Sequence, residues 1–200
     1  NITLQDKVSV SVKAAKMEGS RMFIQSHSKV RVQDLMQGII VHSGNDASVA
    51  LAEYIAGNEK NFVNSMNRKA HQLGMLNTHF ENVTGLPDNQ HYTTPFDMAI
   101  LAKAVISDFP EYYHWYAQKS FSYGGIYQTN RNRLLWLEPT VDGIKTGETQ
   151  KAGYCLAASA IKEDMRLIAV VLGASSKQTR LKIAKELLDE GFRLYRTQKH

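Results

Sequence analysis

A single cysteine among 200 residues, Cys155, excludes an internal disulfide. It stands in an apolar stretch, which predicts a buried, inert thiol. There are seven histidines, but none stands at ligand spacing from a cysteine or carboxylate, so no metal site is expected. No apolar run approaches the roughly 20 residues that a membrane span needs. Charge of one sign is also scarce. The net charge is only +5, and the basic residues are scattered except between Lys177 and Lys185, so nucleic acid is not an expected partner. A mild positive balance suits an anionic polymer, among many other partners. No Pro/Gly/Ser linker, repeat or low-complexity tract divides the chain. With 43% hydrophobic and 22% charged residues, the composition is that of an ordinary globular domain. A chain of this length buries about 70% of the surface it exposes when unfolded.

What is present reads as helices first and strands later. Val8-Ser9-Val10-Ser11-Val12 alternates with the period of a half-buried strand. Lys13 to Arg21 is polar, and Met22-Phe23-Ile24 is a short strand or ordered loop. Val32 to Val41 is apolar at helical spacing and predicts a buried helix that carries Ser43 inward. Asp46 is placed to cap the next helix, Ala47 to Ala56. A third helix is expected from about Glu59 to Leu73, with Phe62, Met66 and Leu73 on one stripe and Gly74 as its stop. After the long loop Asn77 to His91, Thr94, Pro95 and Asp97 signal a helix that ends near Ser107. Tyr112 to Tyr116 is an aromatic cluster expected to pack under a loop, and Phe121 to Gln128 reads as a hairpin turning on Gly124-Gly125. Tyr154 to Ala160 and Leu167 to Gly173 are two strands joined by the charged turn Lys162-Glu163-Asp164. Lys177 to Tyr195 is an amphipathic helix expected to pack Leu181, Ile183, Ala184, Leu187 and Leu188 on the sheet. The fold class is therefore α+β, an antiparallel sheet flanked by helices with a helical lobe.

The stretch with chemical content is Val141-Asp142-Gly143-Ile144-Lys145-Thr146-Gly147. It reads as a strand whose edge carries a fixed positive charge, a hydroxyl and a residue without a Cβ. Gly147 clears room for a ligand along that edge, Thr146 donates or accepts, and Lys145 attracts an anion. The set suits a peptide ending in a carboxylate, laid antiparallel to the strand by strand addition. Upstream, Ser43-Gly44-Asn45 ends one helix and opens the next. A Ser-x-Asn followed about a hundred residues later by Lys-Thr-Gly is the pattern of serine acyl-transferases that penicillin acylates.

Five ordered stretches carry a closer resemblance: Leu35 to Ala47, Gly74 to Phe80, Gly85-Leu86-Pro87, Asn130-Arg131-Asn132 and Val141 to Gly147. Together they resemble the low-molecular-mass penicillin-binding proteins, the serine-type D-alanyl-D-alanine carboxypeptidases, over nearly the whole chain, which is identified as a member of that family. The resemblance implies a β-lactamase/transpeptidase-like fold and a penicillin-binding domain over residues 1–200. It implies the peptidoglycan stem peptide and β-lactam antibiotics as partners, no cofactor, and a place in the periplasm or on the extracytoplasmic face of the inner membrane. A C-terminal β-rich domain and an amphipathic membrane anchor belong to the family but not to these residues. The same resemblance implies roles. Ser43 relays a proton toward the leaving D-alanine. Asn45 bonds the substrate amide or orients the catalytic lysine, and Lys145 stabilises charge. Thr146 and Arg180 take the terminal carboxylate, and a backbone N–H just past Gly147 serves the oxyanion. Glu148 stands where many relatives carry histidine, which predicts an adjusted specificity or pH dependence. His42 is expected to be a packed histidine, not a base.

One departure matters. The family's nucleophile lies in a helical Ser-x-x-Lys, N-terminal to Ser-x-Asn. The two literal matches in this chain, Ser26-His27-Ser28-Lys29 and Ser159-Ala160-Ile161-Lys162, are expected in a turn and a strand, where residues three apart do not share a face. The nucleophile is therefore expected upstream of Asn1, on a segment absent from this chain. Two other readings stay open. A class A-like β-lactamase would need Ser-Asp-Asn and a deacylating glutamate, for which only Glu111 and Glu138 are placed. A non-catalytic lobe that binds D-Ala-D-Ala ends would need neither.

Overall fold

The computed structural model describes residues 2–197. In chain order the elements begin with β1 (Lys7–Ser9), α1 (Val12–Ala15), β2 (Lys29–Arg31), α2 (Val32–His42), α3 (Asn45–Ala56) and α4 (Glu59–Gln72). After these come α5 (Pro95–Asp108), α6 (Pro110–Tyr113), a 3₁₀ turn (His114–Ala117), β3 (Ser120–Tyr123), β4 (Ile126–Thr129) and α7 (Leu134–Leu137). The chain closes with β5 (Val141–Thr149), β6 (Gly153–Lys162), β7 (Met165–Ala174) and α8 (Lys177–Leu194). It forms two compact units. The first holds the residues up to His71 with His79–His91 and Gln118–Asn130, and the second holds Gln72–Thr78, Tyr92–Ala117 and the residues from Arg131 on.

In the first unit β1 and β2 pair antiparallel, with Val8 opposite Val30, and both are buried in a core with Met22, Ile24, Leu35, Ala47 and Val49. The alternation at Val8 to Val12 stops being a strand at Ser9. Ser11 caps α1 instead, its hydroxyl accepting from the Ala14 N–H, and Val12 becomes the first helical residue and is exposed. The Met22–Ile24 segment is an ordered loop. It turns Phe23 outward at φ 65° and buries its two neighbours. Asp46 does not cap α3, whose N-cap is Gly44. The carboxylate is fully buried and accepts the N–H groups of Met22 at 2.8 Å, Ile24 at 3.1 Å and Ala47 at 2.9 Å. It fastens the 22–24 loop across the start of α3. On α4 the buried residues are Val63 and Ala70, and the expected stripe of Phe62, Met66 and Leu73 is only half-buried. The β3–β4 hairpin turns on Gly124 and Gly125, both at positive φ, with Tyr123 opposite Ile126.

In the second unit the antiparallel sheet runs β5-β6-β7, so β5 is an edge strand. Helix α8 packs on β6 and β7 through Ala184 and Leu188, together with Leu181 and Phe192. Ile183 and Leu187, expected on that interface, face solvent instead. The buried stripe is narrower than the apolar pattern suggested, and Arg180 occupies part of it. Helix α5 begins as expected, its Thr94 hydroxyl accepting from the Asp97 N–H. The aromatic cluster packs on strand β5, not under a loop. A Cβ on Gly143 would stand 2.5 Å from the Tyr113 hydroxyl oxygen, so only glycine admits that ring. Tyr113 donates to Asp142 at 3.3 Å, Asp142 pairs with Arg166 at 2.8 Å, and Arg166 lies 5.1 Å from the centre of the Tyr113 ring.

Candidate active site

Helix α2 ends in Ser43, which adopts φ 62° and ψ 42°. That left-handed conformation costs a non-glycine residue on the order of 1 kcal/mol or more, and such outliers concentrate where a site demands them. The Ser43 N–H donates to the Ile39 carbonyl at 3.0 Å and the Gly44 N–H to that of Gly38 at 3.1 Å. These bonds fix the tight passage into α3. Ser43 is half-buried, as is His42 beside it. Asn45 is buried at 7% exposure. Its amide nitrogen donates to the Glu18 carbonyl at 2.7 Å, and its backbone N–H to that of Ser20 at 2.8 Å. The polar 13–21 segment is thus tied to the Ser-x-Asn turn.

In the second unit β5 carries Lys145, Thr146, Gly147 and Glu148 in succession. Lys145 is half-buried, and its ammonium donates to the Thr146 carbonyl at 3.0 Å. Burial, with Arg131 and Arg180 nearby, lowers its pKa to about 8. Gly147 sits opposite Cys155 in the ladder, and a Cβ there would meet only the Cys155 Cβ, at 3.7 Å. Its φ is not positive. Neither packing nor backbone conformation therefore requires glycine at this position. Glu148 is exposed and pairs with Lys177 at 3.4 Å.

Arg180 is not on the solvent face of α8. It is 3% exposed. Its Nη1 donates to the Cys155 carbonyl at 3.4 Å, and its Nε is buried with no hydrogen-bond partner among the described residues. Burial lowers its pKa below the ordinary arginine value, while Glu148 pulls it back up. Cys155 is half-buried, not enclosed as its apolar setting implied. It lies third in β6, opposite Gly147 of the edge strand.

Both literal Ser-x-x-Lys matches are outside helices. Ser26 begins a turn in which His27 has φ 64°. Ser159 lies in β6, fully buried, and accepts from the Arg166 guanidinium, while Lys162 is exposed. Two contributors to the β5 edge did not stand out in the sequence as chemistry. Arg131 acts on Lys145 electrostatically. Asn132, fully buried, donates to the Gly143 carbonyl at 3.0 Å and accepts from the Leu134 N–H at 3.2 Å, which pins β5 to α7. The signal available was the Asn130-Arg131-Asn132 stretch, which carried the family resemblance but no assigned role. Among the described residues no group of histidine, cysteine and carboxylate side chains could hold a metal ion.

Comparison with known proteins agrees with this geometry. A family model described as Peptidase S11, D-alanyl-D-alanine carboxypeptidase, matches residues 1–176. The D-alanyl-D-alanine carboxypeptidase DacC of Escherichia coli (strain K12) is 46% identical over 203 residues, covering 98% of this chain and 51% of that protein. DacF of Bacillus subtilis (strain 168) is 44% identical over 201 residues, again covering 98% of this chain and 51% of the relative. Penicillin-binding protein 5 from Haemophilus influenzae superposes with a TM-score of 0.93 at 45% identity, over 96% of this chain and 57% of that one. The chain spans about half the length of the curated relatives it matches. Its motifs, its fold and its relatives agree: the chain belongs to the peptidase S11 family of D-alanyl-D-alanine carboxypeptidases.

Proposed function

We propose that the protein containing this chain removes the terminal D-alanine from peptidoglycan stem peptides through an acyl-serine intermediate, and that β-lactams acylate the same serine. One observation carries the reading. Lys145 stands on an edge strand with Arg131 and Arg180 near enough to act on it, and its burial, with their repulsion, lowers its pKa. Like charges brought near one another are stabilised by an anion. A peptide C-terminal carboxylate laid against Thr146 supplies one, and β5 offers the rest of the peptide a ladder to join. The family names of the relatives point to the same carboxylate, that of D-Ala-D-Ala, and favour this reading over a β-lactamase.

In the proposed reaction a serine hydroxyl attacks the carbonyl of the penultimate D-alanine. The serine ester forms, the amide C–N bond breaks, and free D-alanine leaves with a proton relayed through Ser43. Water then hydrolyses the ester. Asn45 is assigned to the substrate amide or to orienting the catalytic lysine, and Lys145 to charge stabilisation. Thr146 and Arg180 are assigned to the carboxylate, and Gly147 to clearance along the strand. Neither Ser-x-x-Lys in this chain is helical, so the nucleophile is assigned to a segment outside these 200 residues. The setting is the extracytoplasmic side of the envelope, where the stem peptide lies. No helix among the described residues is long and apolar enough to cross a membrane.

The test is covalent labelling by a fluorescent penicillin. The full-length enzyme should label, and its Lys145→Ala variant should label on the order of a hundredfold more slowly. These 200 residues alone should not label at all. Unchanged labelling of the variant would remove Lys145 from the site, and labelling of the isolated chain would place the nucleophile within it.

A further inference from the structure

The ladder between β5 and β6 shifts by one place at Asp142. Val141 stands opposite Ala160, but Gly143 stands opposite Ser159 and Lys145 opposite Ala157. Asp142 is thus the extra residue of a β-bulge, a device that re-aims the side chains beyond it. An unbroken ladder from Val141 would place Asp142 opposite Ser159 and Lys145 opposite Leu156, one place away from the observed pairs. One place along a strand is about 3.3 Å. A misplacement of about 1 Å at a reacting group can cost roughly a hundredfold in rate.

Two sets of contacts hold the bulge. Arg166 on β7 reaches across β6, where it donates to the Ser159 hydroxyl, and its guanidinium takes both oxygens of the Asp142 carboxylate, at 2.9 and 2.8 Å. The paired side chains are 27% and 28% exposed, so water screens this fork less than it screens a surface pair. The second set is steric. The place opposite Ser159 has no room for a Cβ, which would lie 2.5 Å from the Tyr113 hydroxyl oxygen and 3.3 Å from the ring carbon Cζ. Tyr113 is buried and stacks on Tyr116 with ring centres 5.5 Å apart, which keeps it from swinging aside. Gly143 fits that place, whereas Asp142, which the unbroken register would put there, does not. We propose that Asp142, Arg166 and Tyr113 are positioning residues: they lock β5 in its bulged register and thereby hold Lys145 where the acyl transfer needs its charge. Their role rests on the reading of β5 as the edge at which acylation occurs.

The test measures the rate at which a fluorescent penicillin acylates the full-length enzyme, well below each variant's melting midpoint, with and without Lys145. Asp142→Ala should slow labelling roughly tenfold to a hundredfold, and Arg166→Gln should slow it in the same range. In the Lys145→Ala background each should cost about threefold or less, because the group they position is gone. Asp142→Asn, which still accepts from Arg166 and Tyr113, should recover most of the rate. Equal losses with and without Lys145 would make the bulge a matter of folding alone and overturn the positioning role. So would the parent's rate in both Asp142→Ala and Arg166→Gln, with the reading of Lys145 left standing. Lys145→Ala labelling as fast as the parent would instead overturn that reading, and the positioning role would fall with it.

Discussion

A guanidinium at 3% exposure whose Nε has no partner among the described residues is an expensive thing to keep. Its cost is offset if Arg180 is there to meet an anion. Arg180→Ala in the full-length enzyme should therefore raise the KM for a D-Ala-D-Ala peptide roughly tenfold to a hundredfold, the worth of one charge-assisted hydrogen bond. Thermal stability should be unchanged or improved, and Arg180→Lys should recover part of the loss. Steady-state kinetics beside a melting curve checks it, and unchanged KM would return Arg180 to a structural role. The family pattern marked Arg180 in the sequence, but its burial was not legible. A charged residue on an amphipathic helix reads as solvated, and only the register of α8 on the sheet turns it inward. Ser43 was legible as a motif, whereas its left-handed backbone was not. That conformation comes from bonds to Gly38 and Ile39 at the end of α2.

Elements with strong local punctuation matched their expected bounds closely. Helix α5 had threonine, proline and aspartate in order, the β3–β4 hairpin had two glycines, and β6 and β7 were apolar runs separated by a charged turn. Helix α3 was misjudged at its start because an aspartate before an apolar run is the usual cap signal. Its real partners, the N–H groups of Met22 and Ile24, lie more than twenty positions away in sequence, beyond any local pattern. Asp46→Ala should leave three buried donors unsatisfied and cost roughly 3 kcal/mol. The unfolding midpoint should fall by roughly 6–12 °C. Asp46→Asn should lose less, since one oxygen can still accept. A midpoint within 2 °C of the parent, on the same scale of roughly 2–4 °C per kcal/mol, would show that the 22–24 loop is held by its apolar contacts alone. The exposed Ile183 and Leu187 make the complementary point. Period alone sets the angle of an apolar stripe, but the sheet decides how much of it is covered.

At the scale of the molecule, Lys145 links stability to pH. Its pKa in the folded state, about 8, lies below the ordinary 10.5. Below pH 8 the lysine is protonated whether the chain is folded or not, and the folded state bears the full penalty of its burial. Between 8 and 10.5 the unfolded chain binds more protons, so stability rises with pH through that window and the penalty is gone above it. Lys145→Met, which cannot titrate, should thus be more stable than the parent at pH 7 by a few kcal/mol, since each tenfold loss of proton affinity on folding costs about 1.4 kcal/mol. The advantage should fade toward pH 10. Denaturant midpoints of the two proteins at pH 7, 9 and 10 check this, and a constant difference would place the lysine's proton affinity near its ordinary value.

Strand β5 closes its sheet on one side only, so among the described residues a row of its peptide groups has no strand beside it. A peptide laid there would finish the ladder, and the imprint would be backbone-wide. The outward-facing amide protons, those of alternate residues between 144 and 149, would trade with deuterated solvent quickly in the free protein and slowly once a D-Ala-D-Ala end is bound, while those turned toward β6 stay protected in both. A ligand held by side chains alone would leave them as they were.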